Sequence, residues 1–149
     1  MRLLACSILI LAACHTPPKP GPVEGNGYRG YIVDIETVDK RNLDCHTLWT
    51  PRGIDVEIAE AELAAFLARE APEMAAKLDQ YVRQYVGVVR DGKRRIYINA
   101  MHRDFLKEDP DIKLSDGMVW VMDGGDWFFQ AEYDMEGRNI EEYGVNGVA

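Results

Sequence analysis

The dipeptide Asp91-Gly92 constrains the fold more than any other feature of this sequence. It lies between two segments, 81–89 and 94–101, that are rich in valine, isoleucine and tyrosine. Asp-Gly is favoured in two-residue hairpin turns because both central residues must adopt a positive φ. The sequence therefore predicts a β-hairpin. The predicted register pairs Val89 with Arg94, Gly87 with Ile96, and Tyr85 with Ile98.

This register gives the hairpin one apolar face and one mixed face, because side chains alternate between the two faces of a strand. We expect the apolar face to seat a helix, with Gly87 permitting close approach. That face holds Tyr85, Gly87, Val89, Ile96, Ile98 and Ala100. We expect the mixed face to be only partly solvated. It holds Val82, Gln84, Val86, Val88, Arg95, Tyr97 and Asn99.

One main helix is predicted before the hairpin. Its apolar positions recur at helical spacing: Val56, Ala59, Leu63, Phe66 and Leu67. The pair Thr50-Pro51 predicts its start, with the Thr50 hydroxyl as cap and Pro51 at the first helical position. Pro72 predicts either the end of this helix or the start of a short second helix through Leu78.

Further strands are predicted on both sides of the helix and hairpin. Residues 31–36 alternate with period two, and 118–122, 127–133 and 139–146 are strand-like. Segment 102–117 is predicted to be a polar loop with a turn of helix at its start. The order of elements predicts an α+β fold, an antiparallel sheet of about four to five strands with one main helix on one face.

The N-terminus has the layout of an export signal. Arg2 precedes the mostly apolar segment 3–13, which is too short to span a bilayer, since a spanning helix needs roughly 20 apolar residues. The segment ends in Leu11-Ala12-Ala13-Cys14, which resembles the lipobox of bacterial lipoproteins. The resemblance implies cleavage before Cys14, acylation of Cys14, and attachment to a membrane through that lipid.

His15 follows Cys14, where an aspartate would resemble an inner-membrane retention signal. The expected location is therefore the cell envelope, on the periplasmic side of the outer membrane if the cell has two membranes. Two alternatives remain, an ordinary cleaved signal that releases a soluble protein and a buried N-terminal helix.

The chain after the signal divides into a spacer and one domain. Segment 14–27 holds the predicted lipidated Cys14 and four of the chain's seven prolines, a composition typical of an extended tether. Residues 28–149 are predicted to form a single α+β domain, which is long enough for a core of its own.

The chain is acidic, with 17 basic and 25 acidic residues and a formal net charge of −8. This charge opposes binding to nucleic acid or to anionic headgroups, since both need clustered lysine and arginine. We therefore expect no nucleic-acid partner. With Cys6 removed and Cys14 acylated, Cys45 is the one remaining thiol, and it is expected to be buried or to form an intermolecular bond.

Cys45 is also the one candidate nucleophile. The neighbouring His46 is poorly placed to activate it, because adjacent residues of an extended chain point to opposite faces. His102 is a possible distant partner. A Cys45-dependent hydrolase therefore stays an alternative, although no catalytic motif is present and no catalytic residue is assigned.

Acidic residues at two glycine-containing segments suggest calcium ligands, but neither matches the spacing of a calcium loop. Turn chemistry explains both, so we expect no metal and no cofactor. These residues are Asp123 and Asp126 in the first segment, and Asp134, Glu136 and Asn139 in the second. The basic cluster 93–95 is read as a solvated edge that discourages strand pairing.

Aromatic residues are the remaining candidates for a site, because they offer a large contact area at small entropic cost. The possible binding surface comprises Tyr97, Trp120, Trp127 and Phe128. The alternative is that these rings belong to the core.

Several segments together resemble a group of small exported bacterial proteins: 81–100, Asp123-Gly-Gly, 128–134, 146–149 and Trp49-Thr-Pro51. The resemblance covers about two thirds of the chain after the signal. It implies a compact α+β domain and assigns no activity and no catalytic residue. A cystatin-like arrangement, with one helix across an antiparallel sheet, is an analogy of fold.

The sequence thus predicts a lipid-anchored protein of the cell envelope, a non-enzymatic binding or structural module. Its partners are expected to be the membrane, through the lipid on Cys14, and an unidentified envelope protein. An inhibitor of an envelope enzyme, with the Asp91 or Asp123 loop as a wedge, is the first alternative. The Cys45-dependent hydrolase is the second.

Overall fold

A computed structural model describes residues 17–147, so segment 1–13 and Cys14 lie outside the described residues. Within them, seven strands form one sheet. The strands are β1 (Gly21–Gly25), β2 (Tyr28–Ile32), β3 (Thr47–Trp49), β4 (Tyr81–Arg90), β5 (Lys93–His102), β6 (Phe128–Asp134) and β7 (Asn139–Val145). The helices are α1 (Gly53–Glu70), α2 (Pro72–Ala75) and α3 (Arg103–Glu108). No helix in this part of the chain is long and apolar enough to cross a membrane.

The sheet has the order β1-β2-β4-β5-β6-β7, and the short β3 also pairs with β4. Every pairing is antiparallel except that of β2 with β4. The predicted α+β class and the single main helix are confirmed. The predicted number of strands is too low, because β1 and β3 were not recognised.

The central hairpin has the predicted register. Val89 pairs with Arg94, Gly87 with Ile96, and Tyr85 with Ile98. The turn residues have the required positive φ, 51° at Asp91 and 75° at Gly92. The turn and the alternation of side chains therefore specify the same pairing, and this prediction is confirmed.

Strand β1 lies inside the segment that the sequence predicts as a spacer. Residues 21–25 pair with β2 around the turn Asn26-Gly27, and Gly27 has a φ of 78°. Pro22 is tolerated because an edge strand does not need every N–H group for its ladder. The spacer prediction is therefore wrong for 21–25, which belong to the domain.

Two other predicted strands differ from the structure. The strand expected over 31–36 ends at Ile32, and a 3-10 turn follows at Ile35–Thr37, where the Asp34 carboxylate accepts from the Glu36 N–H group. The strand expected over 118–122 is absent, and that segment is a loop held by side chains. Local alternation does not show whether a neighbouring strand is available to accept pairing.

Helix α1 begins at Gly53, two residues after Pro51. The first turn is held by Asp55, whose carboxylate accepts from the Arg52 backbone N–H group at 3.0 Å and from its guanidinium at 2.8 Å. The predicted Thr50 cap is therefore wrong. Pro72 opens α2, as one of the two alternatives predicted.

The first face of the sheet packs against α1. The helix buries Val56, Ala59, Leu63 and Leu67. These contact a cluster on the strands that includes Tyr85, Ile96, Ile98, Phe129 and Tyr133. A salt bridge lies inside this layer, since Arg83 Nε is 3.3 Å from Glu60 Oε1 and both residues are buried. Burial is the main reason that the pKa of Glu60 is raised.

The second face is covered by segment 33–48 and by part of a long loop. Its apolar cluster contains Val33, Val38, Leu43, Cys45, Val86, Val88 and Met118. The expectation of a partly solvated face is wrong for most of it, because the polar residues Gln84, Arg95 and Asn99 are buried as well. The sheet is thus covered on both faces, and its centre carries few solvent-exposed positions.

The backbone at Gly87 has no room for a side chain. A Cβ atom at Gly87 would overlap the indole ring of Trp49, which crosses it from β3 and donates from Nε1 to the Val88 carbonyl at 3.1 Å. The close neighbour is therefore Trp49, and not the helix that the sequence suggests. Gly87→Ala should lower the free energy of unfolding by about 2 kcal/mol, as overpacking usually does.

Urea unfolding followed by circular dichroism measures this effect. Gly144→Ala in β7 is the matched control, because a Cβ atom there meets nothing within 4 Å. Equal stability of the two variants would contradict the steric role of Gly87.

Candidate functional site

A loop over residues 109–124 crosses the second face of the sheet, and one buried side chain on β4 holds its middle. Gln84 Nε2 donates to the carbonyl of Leu114 at 3.0 Å and to that of Gly117 at 2.7 Å. Gln84 Oε1 accepts from the N–H group of Val119 at 2.8 Å. Gln84 is fully buried. Its amide therefore replaces a strand as the partner of the loop backbone.

Two further amide side chains hold the loop toward its end. Asn99 on β5, also buried, donates to the Val119 carbonyl at 2.8 Å. Asn146, directly after β7, donates to the carbonyls of Val121 at 2.7 Å and Asp123 at 3.2 Å. The loop backbone is thus fixed to both the centre and the edge of the sheet.

Sequence reasoning placed Gln84 and Asn99 on the mixed face but did not select them as site residues. The sequence does contain a signal for them. Each of the two hairpin strands carries one amide side chain among apolar residues. A buried amide requires hydrogen-bond partners, so this pattern indicates that polar backbone must cover it.

The loop exposes apolar side chains where its backbone is held. Met122 is 94% exposed and Trp120 is 38% exposed. The Trp120 ring lies against Tyr97 of β5, with ring centroids 6.4 Å apart. Exposed apolar side chains on a loop whose backbone is held favour binding, because little backbone entropy is lost when a partner contacts them. We call residues Trp120–Asp123 the loop tip.

The sequence around the loop tip is acidic. Segment 109–124 contains Asp109, Asp111, Asp116 and Asp123 against the single basic residue Lys113. All five residues are exposed. This charge favours a basic partner and opposes an anionic lipid surface.

The structure does not bring the four predicted aromatic residues together. Tyr97 and Trp120 form one pair on the second face. Trp127 instead stacks on His102, with centroids 5.5 Å apart. Phe128 is buried and meets Phe105 of α3 edge to face at 4.7 Å. Part of the predicted surface is therefore exposed, at Trp120, and part belongs to the packing of the domain.

A charged cleft lies beside the turn of the hairpin. Arg90 pairs with the buried Glu132 at 2.7 Å, and Arg95 reaches the same carboxylate at 3.2 Å. The cleft, of about 740 Å³, is bordered by Arg90, Asp91, Glu142 and segment 44–47. Glu132 lies behind this border and is paired with both guanidinium groups, whereas the carboxylates of Asp91 and Glu142 border the cleft itself.

Cys45 borders this cleft in surroundings that disfavour its thiolate. It is buried in the second-face cluster, and this burial raises the pKa of its thiol, with Arg90 and Lys40 opposing the shift. His102 lies at the other end of the hairpin, where it pairs with Tyr81, and its ring nitrogen is 3.1 Å from Gln80 Oε1. Ten-residue strands span about 30 Å, so His102 is far from Cys45.

The acidic turn residues are occupied by local contacts. Asp126 pairs with Lys77, and Asp134 accepts from the backbone N–H groups of Glu136 at 2.8 Å and Gly137 at 3.1 Å. No group of three or more potential metal ligands is present within residues 17–147. The contacts of Asp134 are those of a turn, whereas Asp126 and its partner Lys77 lie 49 residues apart.

The basic cluster 93–95 is likewise divided among separate partners. Lys93 lies 3.5 Å from Asp134, Arg95 pairs with Glu132, and the Arg94 guanidinium lies 3.7 Å from the centre of the Trp49 ring. These side chains do not converge on one anion site.

No protein-family model matches the chain, and no curated protein or solved structure is significantly similar to it. The resemblances to bacterial lipoproteins and to small exported proteins, and the cystatin-like analogy, therefore stay predictions.

Gln84→Leu should free the loop while leaving the sheet intact. The variant removes three hydrogen bonds to the loop backbone but keeps the size of a buried side chain, so the Val119 amide should exchange with deuterium at least about tenfold faster. Hydrogen-exchange mass spectrometry of the 112–121 region measures this. Gln130→Leu on the same face is the control, because Gln130 bonds only to Asn99 Oδ1. Equal exchange in both variants would contradict the role of Gln84.

Cys45 should react slowly with iodoacetamide in the folded protein. Only the thiolate reacts, and a raised pKa reduces its population at neutral pH below that of a free thiol with a pKa of about 8.5. The rate should rise steeply only above that pH, and unfolding in urea should restore the rate of an ordinary cysteine. Fast alkylation of the folded protein below pH 8 would contradict this and favour a reactive thiol.

Proposed function

We propose that this chain is a lipid-anchored, non-enzymatic binding module of the cell envelope, and that it binds a protein partner through the loop tip. The loop over residues 109–124 is the observation that supports binding through the loop tip. Three amide side chains hold its backbone, and the held segment exposes Met122 and Trp120 to solvent.

The way the loop is held argues for a role beyond covering the sheet. Apolar side chains at Gln84 and Asn99 would pack under a loop without needing aligned carbonyl groups. Buried amides instead impose one backbone conformation, because each unmade hydrogen bond would cost about 1–3 kcal/mol. A single loop conformation is what a binding surface needs.

The polar groups of the domain support binding over catalysis. Among the described residues the thiol of Cys45 is buried and distant from His102, and the carboxylate of Glu132 is paired with two arginines. A hydrolase mechanism through Cys45 would need a thiolate and a nearby base. Burial disfavours the thiolate, and His102 is too distant to serve as the base.

The anchoring part rests on the sequence Leu11–Cys14. Because β1 begins at Gly21, the spacer reduces to 14–20, which at about 3.1 Å per residue reaches about 20 Å. The domain would then stay close to the bilayer that holds the lipid. Outer-membrane attachment facing the periplasm follows from His15 in a cell with two membranes.

Metabolic labelling tests the anchor. Bacteria that express the full chain should incorporate radioactive palmitate into it, and the protein should fractionate with membranes. Cys14→Ala should abolish both, whereas Cys45→Ala should change neither. Membrane fractionation of Cys14→Ala at the level of the unchanged chain would overturn the anchor without affecting the binding surface.

Site-specific crosslinking tests the binding surface. A photoreactive amino acid in place of Met122 should yield a discrete adduct with one envelope protein in intact cells, since Met122 projects from an ordered loop. The control is the same amino acid in place of Ala68, an exposed residue on the outer side of α1. The adduct should disappear in the Gln84→Leu background. An adduct from position 68 alone, or from neither position, would overturn the proposed surface.

Inhibition of an envelope enzyme is a second candidate, which the projecting loop tip also favours. Asp123 follows Met122 there, and this loop is one of two wedges that the sequence suggests. If the crosslinked partner is an enzyme, added domain should lower its activity, and Met122→Ser should relieve that inhibition.

A further inference from the structure

Strand β7 is an open edge of the sheet. It pairs with β6 on one side, and within residues 17–147 no strand lies on its other side. The opposite edge, β1, is shorter and contains Pro22, which restricts pairing. The seven-residue β7 contains neither proline nor lysine. Its β-bulge lies opposite Glu132 and Tyr133, so the regular part of its edge is the segment 142–145.

The register shows which backbone groups of β7 are free. Asn146 N donates to Phe128 O at 3.0 Å, and these two residues are directly opposite in the register that pairs Val145 with Phe129. Hydrogen-bonded and non-hydrogen-bonded pairs alternate along an antiparallel ladder. The N–H and C=O groups of Tyr143 and Val145 therefore point away from β6, toward the open edge.

The open edge is acidic. Glu141 and Glu142 are both exposed, Glu142 lies 3.6 Å from Arg95, and the preceding turn holds Glu136 and Arg138. On the first face Tyr143 packs against Phe66 of α1, with ring centroids 5.7 Å apart, which fixes the strand without covering its edge. A second copy of the same strand would place acidic strands side by side, which is unfavourable. The charge favours a basic segment.

We propose that β7 accepts an extended, basic segment of the partner protein as an additional strand of the sheet. This inference rests on the proposed function and names the form of the partner. Backbone hydrogen bonds to Tyr143 and Val145 would supply affinity, and lysine or arginine side chains beside Glu141 and Glu142 would supply selectivity. Asn146 joins the end of β7 to the loop tip, so the added strand would continue toward Met122.

A synthetic peptide of four Lys-Val repeats, labelled for fluorescence anisotropy, tests strand addition on the purified domain. Val145→Pro removes an outward N–H group that β6 does not use, and proline is tolerated on the free side of an edge strand. Val145→Thr keeps that N–H group and is the matched control. Their melting temperatures should agree, which shows that both variants fold.

Val145→Pro should weaken peptide binding about tenfold, whereas Val145→Thr should leave it unchanged. A Glu-Val peptide should not bind. A Lys-Pro peptide should bind the unchanged domain no more tightly than the Lys-Val peptide binds Val145→Pro. The amide resonances of Tyr143 and Val145 should shift when the Lys-Val peptide is added. Equal binding to both variants, or no binding to the unchanged domain, would overturn the inference. If Met122 still crosslinks in cells, only strand addition fails and the proposed function stands.

Discussion

The antiparallel ladder between β4 and β5 is the interaction on which the rest of the domain depends. It joins two ten-residue strands along their whole length. Both faces of this ladder are covered, and its outer edges pair with β2, β3 and β6. Because each neighbouring strand takes its register from this pair, a shift of one residue would exchange the two faces throughout the sheet. The Asp91-Gly92 turn prevents such a shift.

The two faces of the ladder have different roles because their side chains differ. The first face is mostly apolar and holds α1 largely by nondirectional packing, with one buried polar contact between Arg83 and Glu60. The second face combines an apolar cluster with the amides Gln84 and Asn99, which need partners at defined distances and angles. Packing tolerates small movements of a helix, whereas these hydrogen bonds define the path of the loop over 109–124. The candidate binding surface is therefore a consequence of polar residues inside the sheet.

The same division explains which structural features could be predicted from the sequence. Hairpin register, the α1 core positions and the turn after β6 depend on residues close in sequence, and these predictions are correct. Strand β1 was missed because its proline-rich composition indicates a spacer, while its pairing depends on β2. The predicted strand over 118–122 is wrong because its backbone finds side-chain amides as partners. For the site, Trp120 was selected from its type alone, and Met122 was not selected.

The sequence by itself determined the α+β class, the central hairpin and the acidic character, because turn chemistry, side-chain periodicity and charge are local properties. The proposed lipid anchor rests on sequence alone, since Cys14 lies outside the described residues. Only the tertiary structure decided that Cys45 is buried, that Trp127 and Phe128 belong to packing, and that no strand among residues 17–147 covers the outer edge of β7. Each of these depends on which distant segment covers a surface, and hydrophobic burial and backbone pairing select that segment only when the whole chain is folded.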